Sequence, residues 1–156
     1  MSETTTATTL RLPAALLERV REHGRTAYPE ECCGVMLGRI DRASGRTEVV
    51  RLVAQENQRE DEHRHNRYLI SPEAVLHADR EARTAGLEIV GYYHSHPDHP
   101  SRPSDFDRDH AWPDQSYLIV AVAGGQPATA QSWRLRDDRS AFEEETVEVP
   151  SPRSHE

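Results

Sequence analysis

The sequence is short of cysteine, of positive charge and of long apolar runs, and each shortage excludes a class of protein. There are two cysteines, Cys32 and Cys33, side by side. Adjacent residues on an extended chain point to opposite faces, so an ordinary disulfide between them is geometrically poor. Nor do they form the CxxC pair on which a thiolate zinc site is built. They read instead as two small buried hydrophobes on a strand. The formal net charge of −8 argues against a general nucleic-acid binder, which carries a basic face. Arg64, Arg102 and Arg108 can supply no more than a local basic patch. No apolar run approaches the ~20 residues that span a bilayer, and no basic-then-apolar stretch opens the chain as a secretion signal. The cytoplasm is therefore the expected compartment.

What is present suits one domain. A chain of 156 residues is long enough for a single hydrophobic core and too short for two. Residues 1–9 are polar and Thr-rich, and residues 150–156 are Pro/Ser-rich with charges. Neither stretch can bury enough apolar surface to offset the entropy of ordering it, so both are expected to be disordered tails around a domain of residues 10–149.

Along that domain, the pattern predicts a helix from Pro13 to Thr26, with Leu12, Leu16, Leu17 and Val20 on one face. Cys32–Ile40 and Thr47–Ala54 read as a strand hairpin around Asp41–Gly45, with Gly34 and Gly38 marking close backbone approaches. The charged stretch Gln55–Asn66 reads as a mobile surface loop, and Arg67–Ile70 as a brief strand. Ser71-Pro72-Glu73 opens a second helix that ends near Thr84, before Gly86. Strands follow at Leu87–His96, Ser116–Ala123, Thr129–Leu135 and Phe142–Val149, with a short helix at Ser104–Ala111. Strands outnumber helices, which predicts an α/β fold with a mixed β-sheet flanked by helices.

The chemistry lies in the segment from Gly91 to Asp107. His94 and His96 stand two apart at the end of a predicted strand, where alternate side chains share a face and two imidazoles can converge on one ion. Pro97 then ends the pairing. A catalytic metal needs a third protein ligand, and Asp98, His99, Asp105, Asp107, Asp109 and His110 are all candidates. Asp107 attracts because Ser104 can cap a short helix with Asp107 in its first turn, but spacing alone does not choose among the six. His63, His65, His77, His110 and His155 read as surface or packing residues. An HxH pair by itself is weak evidence, since histidines often cluster on surfaces by chance.

Two motifs together are more specific. His94-Ser95-His96-Pro97, six residues, Ser104, two residues and Asp107 resembles the HxHP-x6-S-x2-D signature of the JAMM (JAB/MPN-plus) metallopeptidases, without a departure. Upstream, Glu31-Cys32-Cys33-Gly34-Val35-Met36-Leu37-Gly38 resembles the ExxGxxxG strand of the same family. The resemblance spans roughly residues 12–136 and implies an MPN domain of cytidine-deaminase-like architecture. It implies one Zn2+ held by His94, His96 and Asp107. Glu31 would act as general base and then as acid, and Ser104 would donate a hydrogen bond to the oxyanion. Ser95, between the two histidines, should face away from the metal and be structural.

The resemblance also bears on substrate. Members of the family cut amide or isopeptide bonds at the Gly-Gly tail of ubiquitin-like proteins. The compact chain is similar to the small bacterial branch that processes ThiS/MoaD/CysO-like sulfur-carrier proteins. Release of cysteine from a carrier–cysteine adduct, as by Mec-type peptidases in cysteine biosynthesis, is the narrower expectation. Trimming of carrier extensions, or deconjugation, is the broader one. Three other classes are weighed against these. A non-catalytic MPN scaffold usually lacks the ligands that this chain keeps. An Fe(II) site would leave the Glu31 motif unexplained. A RadC-like relative with a nucleic-acid connection sits poorly with the acidic charge.

Overall fold

The computed structural model describes residues 8–55 and 70–150. In chain order these form β1 (Thr9–Arg11), α1 (Ala14–Ala27), β2 (Cys33–Asp41), β3 (Arg46–Gln55), α2 (Pro72–Thr84), β4 (Glu88–Pro97), α3 (Asp105–Asp109), β5 (Ser116–Ala123), β6 (Gln126–Leu135) and β7 (Phe142–Glu148). Local chemistry sets the starts. Pro13 stands at the N-cap of α1, where its fixed φ and missing N–H cost nothing. Ser71 Oγ accepts from Ala74 N at 3.1 Å and Pro72 opens α2.

The strands form one mixed sheet in the order β1-β3-β2-β4-β5-β6-β7, closed because β1 pairs with both β3 and β7. The β4–β5 pair is parallel and the β2–β4 pair antiparallel. Side chains on the two central strands alternate between two cores. Met36 and Tyr93 join Leu12 and Val20, with Leu16 and Leu17 of α1 packed against them. Their neighbours Val35 and Leu37, with Tyr92 packed alongside, turn to Ala78 and Ala82 of α2. The period of two therefore puts α1 and α2 on opposite faces, and His94 and His96 share the face of Tyr92.

Both close approaches expected at glycine are present. A Cβ at Gly34 would enter the Tyr93 ring, and one at Gly38 would enter the backbone carbonyl of Glu48. The glycines of the ExxGxxxG strand thus serve packing on the α1 side and at β3.

The closing strand was not expected. Thr9 falls inside the stretch read as a disordered tail, yet it begins β1, pairing with Arg46 and Thr146. Thr8 also belongs to the fold, because its hydroxyl donates to Glu145 Oε1 at 2.9 Å. Ser132 donates to the other oxygen of that buried carboxylate at 2.6 Å. A three-residue strand with one apolar position carries no periodicity. Its order comes from burying Leu10 completely and from pairing with residues far along the chain. Residues 67–69 of the expected strand and most of the expected loop at 55–66 lie outside the described residues, as do 1–7 and 151–156; Ile70 is not in a strand, and Gln55 itself ends β3. Among the described residues, no helix is long and apolar enough to cross a membrane.

Candidate metal centre and active site

The C-terminal end of β4 carries His94 and His96 into the interior, 0% and 7% exposed. Strand alternation aims both at one point, and their ring centroids lie 5.1 Å apart. The third partner comes from α3. Ser104 Oγ accepts from Asp107 N at 3.1 Å, and Asp107 Oδ2 accepts from Ser104 N at 2.9 Å, a reciprocal capping box. The cap fixes the Asp107 carboxylate against both imidazoles, with Oδ1 3.3 Å from His94 Nε2 and Oδ2 3.1 Å from His96 Nε2.

These residues fit a small divalent cation. Ligand atoms of His94, His96 and Asp107 all lie within 4.8 Å of one another. Bonds of the usual zinc length in a tetrahedron place neighbouring ligand atoms roughly 3.3 Å apart, close to the two separations just given. The hydrogen bonding of His96 points the same way. Its Nδ1 lies 2.8 Å from the carbonyl of Pro100, and a carbonyl only accepts, so Nδ1 carries the proton. In the neutral ring Nε2 then presents a lone pair to a carboxylate that also presents lone pairs. Such a pair needs a positive centre between its members, which a proton on Nε2 or a divalent cation supplies.

The pKa of both His94 and Asp107 is lowered, by burial in the first and by mutual contact in the second. Burial pushes the His94 pKa below its ordinary value, and Asp107 only partly pulls it back. Burial acts to raise the Asp107 carboxyl, but the charge and hydrogen bonds of His94 and His96 outweigh it and hold the group below the ordinary carboxylate range.

Glu31 enters from the neighbouring strand. Cys33 pairs with His94, Cys32 N donates to Ser95 Oγ at 2.8 Å, and Ser95 N donates to Cys32 O at 3.2 Å. Continued by one more residue, that register sets Glu31 opposite His96. Glu31 is 4% exposed and lines a cleft of about 770 Å³ together with His96 and Ser104. Pro100, Phe106, Trp133 and Phe142 line the cleft, as do Arg102 and Arg108. Because Ser104 uses its hydroxyl oxygen as cap acceptor, its O–H remains a donor on that side.

Of the six candidate third ligands, Asp107 is the one that joins the histidines among the described residues. Asp98 does other work. It has φ 59, accepts from Gly124 N at 2.8 Å and from Tyr28 OH at 2.7 Å, and so ties the end of β4 to two turns. His99 lines the cleft. The Asp105 side chain is 94% exposed, and Asp109 is exposed as well. His110 stacks on Phe106 at 4.1 Å, with Nδ1 2.9 Å from that residue's carbonyl. His77 is on the surface. His63, His65, His155 and Arg64 lie outside the described residues. Ser95 is fully buried and structural. Both cysteines are buried and free, and burial pushes each thiol up to about 12.

Sequence patterns missed three features. His23, 2.8 Å from the Tyr93 hydroxyl, pins α1 to β4, and its burial lowers its pKa. The buried Ser101 anchors the loop before α3. Trp133 and Phe142 supply cleft walls from strands far along the chain. A lone histidine, serine or aromatic carries no local signal of a partner thirty or seventy residues away.

Comparison with known proteins agrees on the family. The profile described as "Prokaryotic homologs of the JAB domain" matches residues 13–136. A Haloferax volcanii protein named desampylase is 34% identical over 121 residues, covering 76% of this chain and 81% of the relative. A Thermus thermophilus protein, named a probable TtuB-protein conjugate cleaving protease, is 32% identical over 115 residues, covering 74% and 72%. The solution structure of a Desulfitobacterium hafniense protein superposes with a TM-score of 0.78 at 29% identity, covering 94% of this chain and 96% of that one. A Salinibacter ruber protein gives 0.70 at 40%, covering 92% and 93%. A JAB1/MPN domain protein from Archaeoglobus fulgidus shares the fold at 0.57 and 19% identity, covering 90% and 99%.

Proposed function

The chain belongs to the prokaryotic JAB-domain family and is a hydrolase of the JAMM type, and from that premise we propose a zinc peptidase that cuts the amide bond after the C-terminal Gly-Gly of a ubiquitin-like sulfur-carrier protein. The observation that carries it is the convergence of His94, His96 and Asp107 beside a cleft that Glu31 and Ser104 also line. In this assignment residues 8–149 act as one domain of cytidine-deaminase-like architecture, working in the cytoplasm.

His94, His96 and Asp107 would hold the ion. Zinc, when bound, lowers the pKa of a water and polarises a carbonyl. Glu31, poised across from His96, takes the proton of the attacking water and delivers it to the leaving amine. Ser104 keeps its hydroxyl proton for the oxyanion while its oxygen caps α3. Phe106, Trp133 and Phe142 give the cleft beside these groups an apolar wall. A Gly-Gly tail suits such a site because it can lie extended in a slot too narrow for side chains and pair with a strand edge.

The narrower substrate is a ThiS/MoaD/CysO-like carrier bearing a single cysteine, released for cysteine biosynthesis. A second reading has its own support. The Thermus relative is named for cleavage of a protein conjugate, so a ubiquitin-like protein joined to another protein is the alternative substrate class. One experiment addresses both. A carrier extended by cysteine and a lysine-linked conjugate are incubated with zinc-loaded protein, and products are read by intact mass. Loss of cysteine, stopped by a chelator, supports the first reading, and conjugate cleavage the second. Neither product, from protein holding one zinc per chain, would overturn the peptidase assignment.

A further inference from the structure

Two parts of the centre hang from the loop between β4 and α3: the Pro100 carbonyl that accepts from His96, and the Ser104 cap that seats Asp107. The loop has no strand or helix of its own to hold it. Ser101 supplies the anchor. It is 1% exposed and meets Thr129, Gln131 and Trp133, which the two-residue period of β6 places on one face.

The direction of each hydrogen bond is fixed. The Glu144 carboxylate only accepts, so the Gln131 amide turns Nε2 toward Glu144 Oε2, at 3.0 Å. Its Oε1 is left to accept from Ser101 Oγ, at 2.6 Å. With the Ser101 proton committed, the Thr129 hydroxyl donates to Ser101 Oγ across 2.9 Å. The Trp133 indole can only donate, and it does so to the Ser101 carbonyl at 3.0 Å. Two successive carbonyls of the loop are therefore tied to opposite sides, Ser101 to Trp133 and Pro100 to His96.

We propose that Ser101, gripped by the Thr129–Gln131–Trp133 face of β6, is a positioning residue for the metal centre. It holds the Pro100 carbonyl against His96 Nδ1 and so fixes the ring orientation and the tautomer that presents Nε2 to the ion. Outer partners of this kind set ligand orientation and basicity, and their loss typically costs 10–100-fold in metal affinity. Rings with only a mobile carbonyl or water at Nδ1 sample both tautomers. The proposal rests on the zinc assignment above.

The test uses full-length protein and zinc alone. Zinc affinity is measured by chelator competition, and the nitrogen resonances of His96 are recorded in the metal-free state. Ser101→Ala should weaken zinc about 10–100-fold and move the His96 Nδ1 signal toward a tautomer mixture. Trp133→Phe, which removes the indole donor but keeps an aromatic ring at that position, should do the same more weakly, and it decides the matter if Ser101→Ala fails to fold. Wild-type affinity and unchanged His96 resonances in the folded variants would overturn the proposal, even with zinc lost in His96→Ala. Folded wild-type protein that binds no zinc would overturn the metal assignment itself, and this role with it.

Discussion

His94 and His96 stand on a strand flanked by β2 and β5, in a stretch where Ser95 is also fully buried. Ser104 and Asp107 stand at the start of a five-residue helix with no buried residue. The first pair is held by sheet hydrogen bonds and two hydrophobic cores. The second is held by a capping box and by a loop stapled to β6. Packing thus fixes one half of the centre before any ligand arrives, and a few polar contacts fix the other. The contrast separates changes that damage chemistry and fold together from changes that damage chemistry alone.

The largest expected effects test that contrast directly. His94→Ala and Asp107→Ala should each abolish stoichiometric zinc, measured by elemental analysis, and with it all turnover. Their metal-free stabilities should differ. Removing the fully buried imidazole leaves a cavity and should cost about 2–4 kcal/mol in urea unfolding, whereas losing the Asp107 half of the cap should cost about 1 kcal/mol. Equal losses would erase the distinction between the halves.

Next come two groups that touch the reaction without holding the ion. Glu31→Gln should keep zinc and lose ~10²–10⁴-fold in kcat, and undiminished turnover would remove Glu31 from the mechanism. Ser104 has two duties that substitution can part. Ser104→Asp keeps a cap acceptor and loses the O–H donor, so kcat should fall ~10²–10³-fold with stability preserved. Ser104→Ala should show the same fall together with about 1 kcal/mol of lost stability. If Ser104→Asp turned over normally, Ser104 would be a cap alone.

The buried half was the more legible from sequence. The helices and central strands were placed because apolar alternation, Ser71-Pro72 and Gly86 are local signals, and the HxH spacing is itself a strand signal. Choosing Asp107 over five neighbours required the family signature, because ligand convergence depends on how α3 returns to β4. The anchoring of Ser101 and the closure by β1 were illegible for a related reason. Both rest on partners distant in the chain, and neither a single serine nor a three-residue strand has a period to detect.

The last expected effect concerns stability alone and belongs wholly to the buried half. Cys32 and Cys33 sit beneath the centre, one bonded to the Ser95 backbone and the other paired with His94. Burial, reinforced by the charge of Glu31, pushes each thiol up to about 12, whereas an unfolded thiol titrates near 8.5. Between those values the unfolded chain has released protons that the folded chain keeps, so stability falls as pH rises. The slope is about 1.4 kcal/mol per pH unit for each thiol. The urea midpoint of metal-free protein should therefore drop from pH 9 to pH 10, and Cys32→Ala should roughly halve the cysteine share of that drop. A slope that Cys32→Ala leaves unchanged would mean that the thiol already titrates in the folded protein. The strand beneath the centre would then be open to solvent, and the buried half would be no firmer than the helix that faces it.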